Sequence, residues 1–215
     1  MNLNNWLRFS ADVKYDLLVP PFGSDYYSMT PKQVKENYEW FVSKIPERTR
    51  YLSNRIAEDL KIPISELNFS PDSLKTVWKW FLKTARVEKV SKEQVSEMEA
   101  QWGHLGEHWI QREQLTVATQ FILRDIGMYL GETFIATSKS IHWGYFMKPK
   151  NEVSAKRPVL LGFFYVGPEN GYQPFGMPFD PVGVLDGEAY KIISKTKKET
   201  DLYDLFIARQ KYIRD

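Results

Sequence analysis

The sequence predicts an α+β protein that is predominantly helical, with N-terminal helices, a long central helix, a small antiparallel sheet and a C-terminal helix. Three observations predict it. Thr30-Pro31 and Ser70-Pro71 each place a capping hydroxyl and a first-turn proline ahead of apolar residues at helical spacing. The stretch from about Trp109 to Leu130 has the strongest helical periodicity in the chain. After it, SIHWGYFMK and PVLLGFFYV are aromatic and β-branched runs parted by the polar PKNEVSAKR, which predicts two antiparallel strands and a loop. One domain over 1–215 is expected, divided into an extended arm (1–29), a mainly helical part (30–136) and a small sheet with C-terminal helices (137–215).

In order along the chain, VKYDLLVPPFGSDYY has a short apolar run and then Pro-Pro and Gly, so it reads as an arm ending in a loop. Val34, Tyr38, Phe41, Val42 and Ile45 then recur at helical spacing, and Leu52, Ile56 and Leu60 resume it after Pro46. Pro46 predicts either two helices or one kinked there. Behind Ser70-Pro71, Leu74, Val77, Trp78 and Phe81 form an inward stripe with Trp80 off it. Ser91 caps a weaker helix, KEQVSEMEAQW, and the charged stretch at Val87–Lys92 is the one candidate boundary. In the central helix Leu115, Ala118, Ile122, Ile126 and Tyr129 fall in line. The Gly- and Pro-dense GPENGYQPFGMPFDPVG predicts a loop, Pro181 opens a short helix, and ETDLYDLFIARQKYI predicts a terminal helix with Leu202, Leu205, Phe206 and Ile213 inward.

Composition narrows the chemistry. Twenty-nine basic and 27 acidic residues leave a net charge of +2, without the clustered excess of a nucleic-acid binder. The densest basic run, Lys195–Lys198, is followed at once by Glu199 and reads as solvated. The absence of cysteine excludes disulfides, thiolate nucleophiles and Cys-ligated metals. No secretory signal pattern and no apolar run of membrane-spanning length is visible, so a cytoplasmic protein without membrane contact is expected. Aromatics at 15% favour a core of large rings and an aromatic surface for a protein partner.

Four patterns could carry function. HLGEH, His104 to His108, fits H-x-x-E-H: His104 and His108 on one helix face could ligate zinc, with Glu107 as general base. Gly103 and Gly106 suit a loop better than a rigid ligand helix, so metal hydrolysis is the alternative rather than the leading reading. Asp125 lies inside the apolar stripe of the central helix with Glu132 seven residues on, so either both serve a pocket or binding face, or Asp125 is satisfied by a Tyr, a Trp, an Arg or the backbone. Trp143 adjoins them at the head of the first strand. Gly127 and Gly131 share a face and predict close approach of another backbone, or a helix end at Gly131. In the loop over Gly171–Gly183, Tyr172, Phe175, Met177 and Phe179 are either an exposed binding surface or the cover of the small sheet. No phosphate loop, nucleophile elbow or cofactor motif is present, so no cofactor is expected.

The ordered segments NYEWFVSKIPERTRYL, LNFSPDSLKTVWKWFL, DIGMYLGETFIATSKSIHWGYF, RPVLLGFF and PFDPVGV, with S-P-x-S-L and Y-L-G-E followed by Trp143, resemble uncharacterised bacterial protein families, especially of Gram-positive genomes. The resemblance spans about Asn37 to Val184. It implies no catalytic residues, and it is similar in style to small α+β immunity proteins encoded beside toxins. The leading expectation is therefore a non-catalytic protein that acts by binding another protein, with Asp125, Glu132, Trp143, Tyr172 and Phe175 as binding residues.

Overall fold

The computed structural model describes residues 15–23, 25–106, 110–147, 152–164 and 176–213. Among them six helices and two small antiparallel ribbons form the predominantly helical α+β architecture that the sequence predicts. No helix among the described residues is long and apolar enough to cross a membrane.

Helix α1 runs from Pro31–Leu60 without interruption, opened by a capping box in which Thr30 and Gln33 exchange hydrogen bonds. Pro46 sits inside it, although an interior proline costs about 3 kcal/mol relative to alanine. Phe41, Ile45, Arg48, Leu52 and Ile56 are all buried on one face, and that face stays continuous only if the helix passes through the proline. The burial of four large apolar side chains, about 1.5–3 kcal/mol each, outweighs the break.

Helix α2 (Ser73–Thr84) buries Leu74, Val77, Trp78 and Phe81 as the spacing predicts. Trp80, placed off the stripe by periodicity, is buried as well, because its indole N–H donates to Asp59 of α1 at 2.9 Å. The next segment corrects the sequence reading. Val87–Lys89, within the charged stretch, forms strand β1, which pairs antiparallel with β2 (Glu113–Leu115). Residues 110–116 are therefore not helical, and the central helix α4 runs from Val117–Thr137, starting later and ending later than the stretch that the periodicity marks. Thr116 caps it, accepting from the Thr119 N–H, and the Thr116 N–H is bonded to the Arg86 carbonyl across the ribbon. Between the two strands lies α3 (Lys92–Trp102), opened by the Ser91–Gln94 capping box.

Strand β3 (His142–Gly144) pairs with β4 (Val159–Leu161) in the antiparallel register Trp143 opposite Leu160. Helices α5 (Gly183–Ile193) and α6 (Asp201–Gln210) complete the chain. One contiguous buried cluster links α1, α2, α4, α5 and α6, with Phe134 at its centre stacked on Phe206 and edge-on to Phe163 and Phe179. Phe179 is buried and exchanges backbone hydrogen bonds with Leu160, and Met177 donates its N–H to the Phe163 carbonyl. These two loop residues cover the small sheet. Tyr172 and Phe175 lie outside the described residues.

The two glycines of α4 allow close contact on one side of the helix. A Cβ on Gly127 would stand 2.9 Å from the Val182 Cα, which is the backbone approach that the spacing predicts. Gly131 is not a helix end: the helix continues to Thr137, and the Trp143 ring lies where a Gly131 side chain would be. Gly131→Ala therefore forces the indole off its seat. A loss of about 1–3 kcal/mol in urea unfolding is expected, the usual cost of overpacking a closed site.

Candidate functional site

Asp125 projects from α4 into the crossing with α1 and is 1% exposed. Both its oxygens accept hydrogen bonds from Arg48 Nε at 3.2 and 3.1 Å, and Oδ2 also accepts from Arg48 Nη2 at 2.7 Å and from the Tyr15 hydroxyl at 2.7 Å. Arg48 is equally buried, donates Nη1 to Asp16 at 3.1 Å, and lies over the Tyr51 and Tyr15 rings at 4.8 and 5.6 Å. Burial opposes the guanidinium charge, but the hydrogen bonds and charge of Asp125 outweigh it and hold Arg48 above its ordinary value. Burial holds the Asp125 carboxyl above its ordinary value, although Arg48 and Tyr15 pull it down. Both carboxyl oxygens accept hydrogen bonds from the guanidinium, which favours the ionised pair. A carboxylate held this way cannot take a proton from a substrate without breaking the pair.

Glu132 is two turns farther along α4, about 10.5 Å by helical rise, and has a different partner. It accepts the Trp143 indole N–H at 2.9 Å. Trp143 is also fixed by its backbone carbonyl, which accepts from the Tyr38 hydroxyl at 2.9 Å, and by edge contact with Phe41. The structure thus joins Glu132 to Trp143 and leaves Asp125 apart, so the three do not converge on one pocket.

The HLGEH pattern does not continue the helix it would need. His104 is exposed in a 3-10 turn that follows α3, and Gly106 has φ +114°, outside helical backbone. The shared helix face assumed for His104 and His108 is therefore absent at Gly106. Glu107 and His108 lie outside the described residues. Among the described residues no group of three or more His, Asp or Glu side chains could hold a metal ion.

Two concavities were not anticipated. The larger, about 670 Å³, lies between α3, the β1–β2 ribbon and the end of α5, with Val95, Ile110, Tyr190 and Ile193 among its walls. The smaller, about 210 Å³, is more enclosed and lies where α4, α5, Tyr26 and the segment before β4 meet. Arg124, Arg157, Asp180 and Asp186 line it, so its charges sum to zero. Arg157 Nη1 pairs with Asp180 at 3.1 Å, Asp180 Oδ1 also accepts from the Gly183 N–H at 2.8 Å, and the Arg157 guanidinium lies 5.0 Å from the Tyr26 ring centre. Burial lowers the Arg124 guanidinium from its ordinary value. Asp186 is exposed as a residue, yet at this wall burial and the Asp180 charge push its carboxyl up. Each of these residues is an ordinary surface charge by sequence pattern, and only the tertiary fold collects them. No protein-family model, curated protein or solved structure matched the chain.

Two outcomes follow from the Arg48–Asp125 contact. Arg48→Met leaves a buried, unpaired carboxylate and is expected to cost about 3–5 kcal/mol in urea unfolding, while Arg48→Met with Asp125→Leu, which removes both charges, costs less than the single change. Burial, followed by the Asp125 charge and hydrogen bond, also raises the Tyr15 phenol well above its ordinary range. The folded state then keeps a proton that the unfolded chain loses, so this stabilisation is complete below pH about 10 and declines above it. Tyr15→Phe is expected to flatten the alkaline fall in stability by about 1.4 kcal/mol per pH unit.

Proposed function

We propose that the chain acts without catalysis, by binding another protein, and that the groove between α3 and the β1–β2 ribbon is its docking surface. The observation that carries this reading is α3 itself, in which no residue is buried. Val95 and Met98 are only half-buried, and Trp102, nearly in line with Val95 two turns on, is 42% exposed. Leu105 continues the exposed apolar surface past the helix, and Tyr190 offers a half-exposed ring from the opposite wall. A helix that leaves its apolar side uncovered above an open groove has the composition of a binding surface, since exposed aromatic anchors concentrate binding energy.

The polar rim indicates what the partner carries. Lys89 and Lys92 stand exposed at the β1 end of the groove and have no ion-pair partner among the described residues, while Arg112 and Glu99 are paired across it at 3.4 Å. The fitting occupant is a protein segment with an apolar side chain for the groove and a carboxylate for the two lysines. An immunity role, in which this surface occludes a toxin, is the most specific form of the proposal and draws on the resemblance to bacterial families.

The test is affinity capture from the native host followed by titration with the purified partner. Trp102→Ala with Tyr190→Ala is expected to weaken binding at least tenfold, about 1.4 kcal/mol, with Tm unchanged. A partner held equally well by the double variant, or turnover of a substrate by the purified protein, would overturn the proposal.

A further inference from the structure

We propose that the 210 Å³ cavity between α4 and the start of α5 binds a small zwitterion of the α-amino acid type, with Arg124 holding the carboxylate and Asp186 the ammonium group. The charges lining this cavity fall into two kinds. Arg157 and Asp180 are joined to each other and form a fixed wall. Arg124 and Asp186 are joined neither to each other nor to any other side chain by an ion pair among the described residues. Arg124 donates Nη1 to the Leu18 carbonyl at 3.2 Å and lies over the Phe121 ring, and most of its five donors have no hydrogen-bond partner among the described residues. Asp186 makes no hydrogen bond among the described residues. An arginine and a carboxylate that line one enclosed space, neither in an ion pair among the described residues, present a ligand with one site of each sign.

The neutral sum of the lining discriminates between ligands. A plain anion would meet Asp180 and Asp186, and a plain cation would meet Arg124 and Arg157. A molecule carrying both charges satisfies both free groups and adds no net charge. Size narrows the choice further. At about 30 Å³ per water, the space corresponds to roughly seven waters, which suits an amino acid with a small side chain. Phe41, Pro158 and Val182 provide an apolar wall for that side chain.

Isothermal titration calorimetry of the full chain with L-alanine, L-serine and L-valine tests this, with propionate and ethylamine as single-charge controls. Saturable binding of at least one amino acid is expected, with neither control binding as tightly. Arg124→Gln and Asp186→Asn should each weaken it about tenfold or more, the loss of one charge-assisted hydrogen bond. Asp186 lies on the exposed first turn of α5, so Asp186→Asn reads the site even where Arg124→Gln disturbs folding. The proposal is overturned by heats absent for all three amino acids, by binding that Asp186→Asn leaves intact, or by propionate binding as tightly as the amino acids, which would make the cavity a simple anion site.

Discussion

The buried contact between Arg48 and Asp125 is the constraint around which the rest of the molecule is arranged. It joins α1 to α4 at their crossing, draws Tyr15 and Asp16 of the N-terminal arm onto the same point, and is enclosed by Tyr51 and Trp80. Two charges removed from water are tolerated because all three Arg48 nitrogens donate and both Asp125 oxygens accept. That requirement fixes the geometry of the crossing more tightly than apolar packing alone, since Leu or Ile can slide where a bidentate guanidinium cannot. It also explains why α1 passes through Pro46. A break there would rotate Arg48 away from the face that carries Phe41 and Ile45.

What the sequence made legible was local. Thr30-Pro31, Ser91 and the stripes of α1 and α2 are read correctly because capping and helical spacing are short-range properties. The glycine pair on α4 also carried its message, because a helix pays for glycine only where something presses close. The misplaced start of α4 has a long-range cause. Leu115 fits the helical stripe equally well, but β1 claims residues 113–115 as its partner, and a three-residue ribbon leaves little trace in the pattern. Trp80 was misjudged for the same reason, since an indole N–H bonded to Asp59 can be buried off the main stripe.

The candidate sites were less legible than the fold. Asp125 was conspicuous as a carboxylate in an apolar stripe, yet the sequence offered Tyr, Trp, Arg or backbone as partners without choosing, because Tyr15 and Arg48 lie 110 and 77 residues away. Arg124 and Asp186 were invisible as a pair, being a neighbour of Asp125 on one helix and a first-turn acid on another. The groove beside α3 was missed because an uncovered helix and a covered one share the same spacing; only burial tells them apart.

The long separation of the central partners bears on how the chain is made. Synthesis proceeds at about 5–20 residues per second, so Arg48 leaves the ribosome roughly 4–15 s before Asp125 exists to receive it. During that interval α1 can draw only on local support and on α2, which is made before α4. Its capping box and the Lys32–Glu36 and Lys35–Glu39 pairs, one turn apart on its outer face, provide that support without any tertiary contact. The crossing closes only after α4 emerges, so until then the nascent chain carries Arg48 with Asp16 but without its buried partner Asp125.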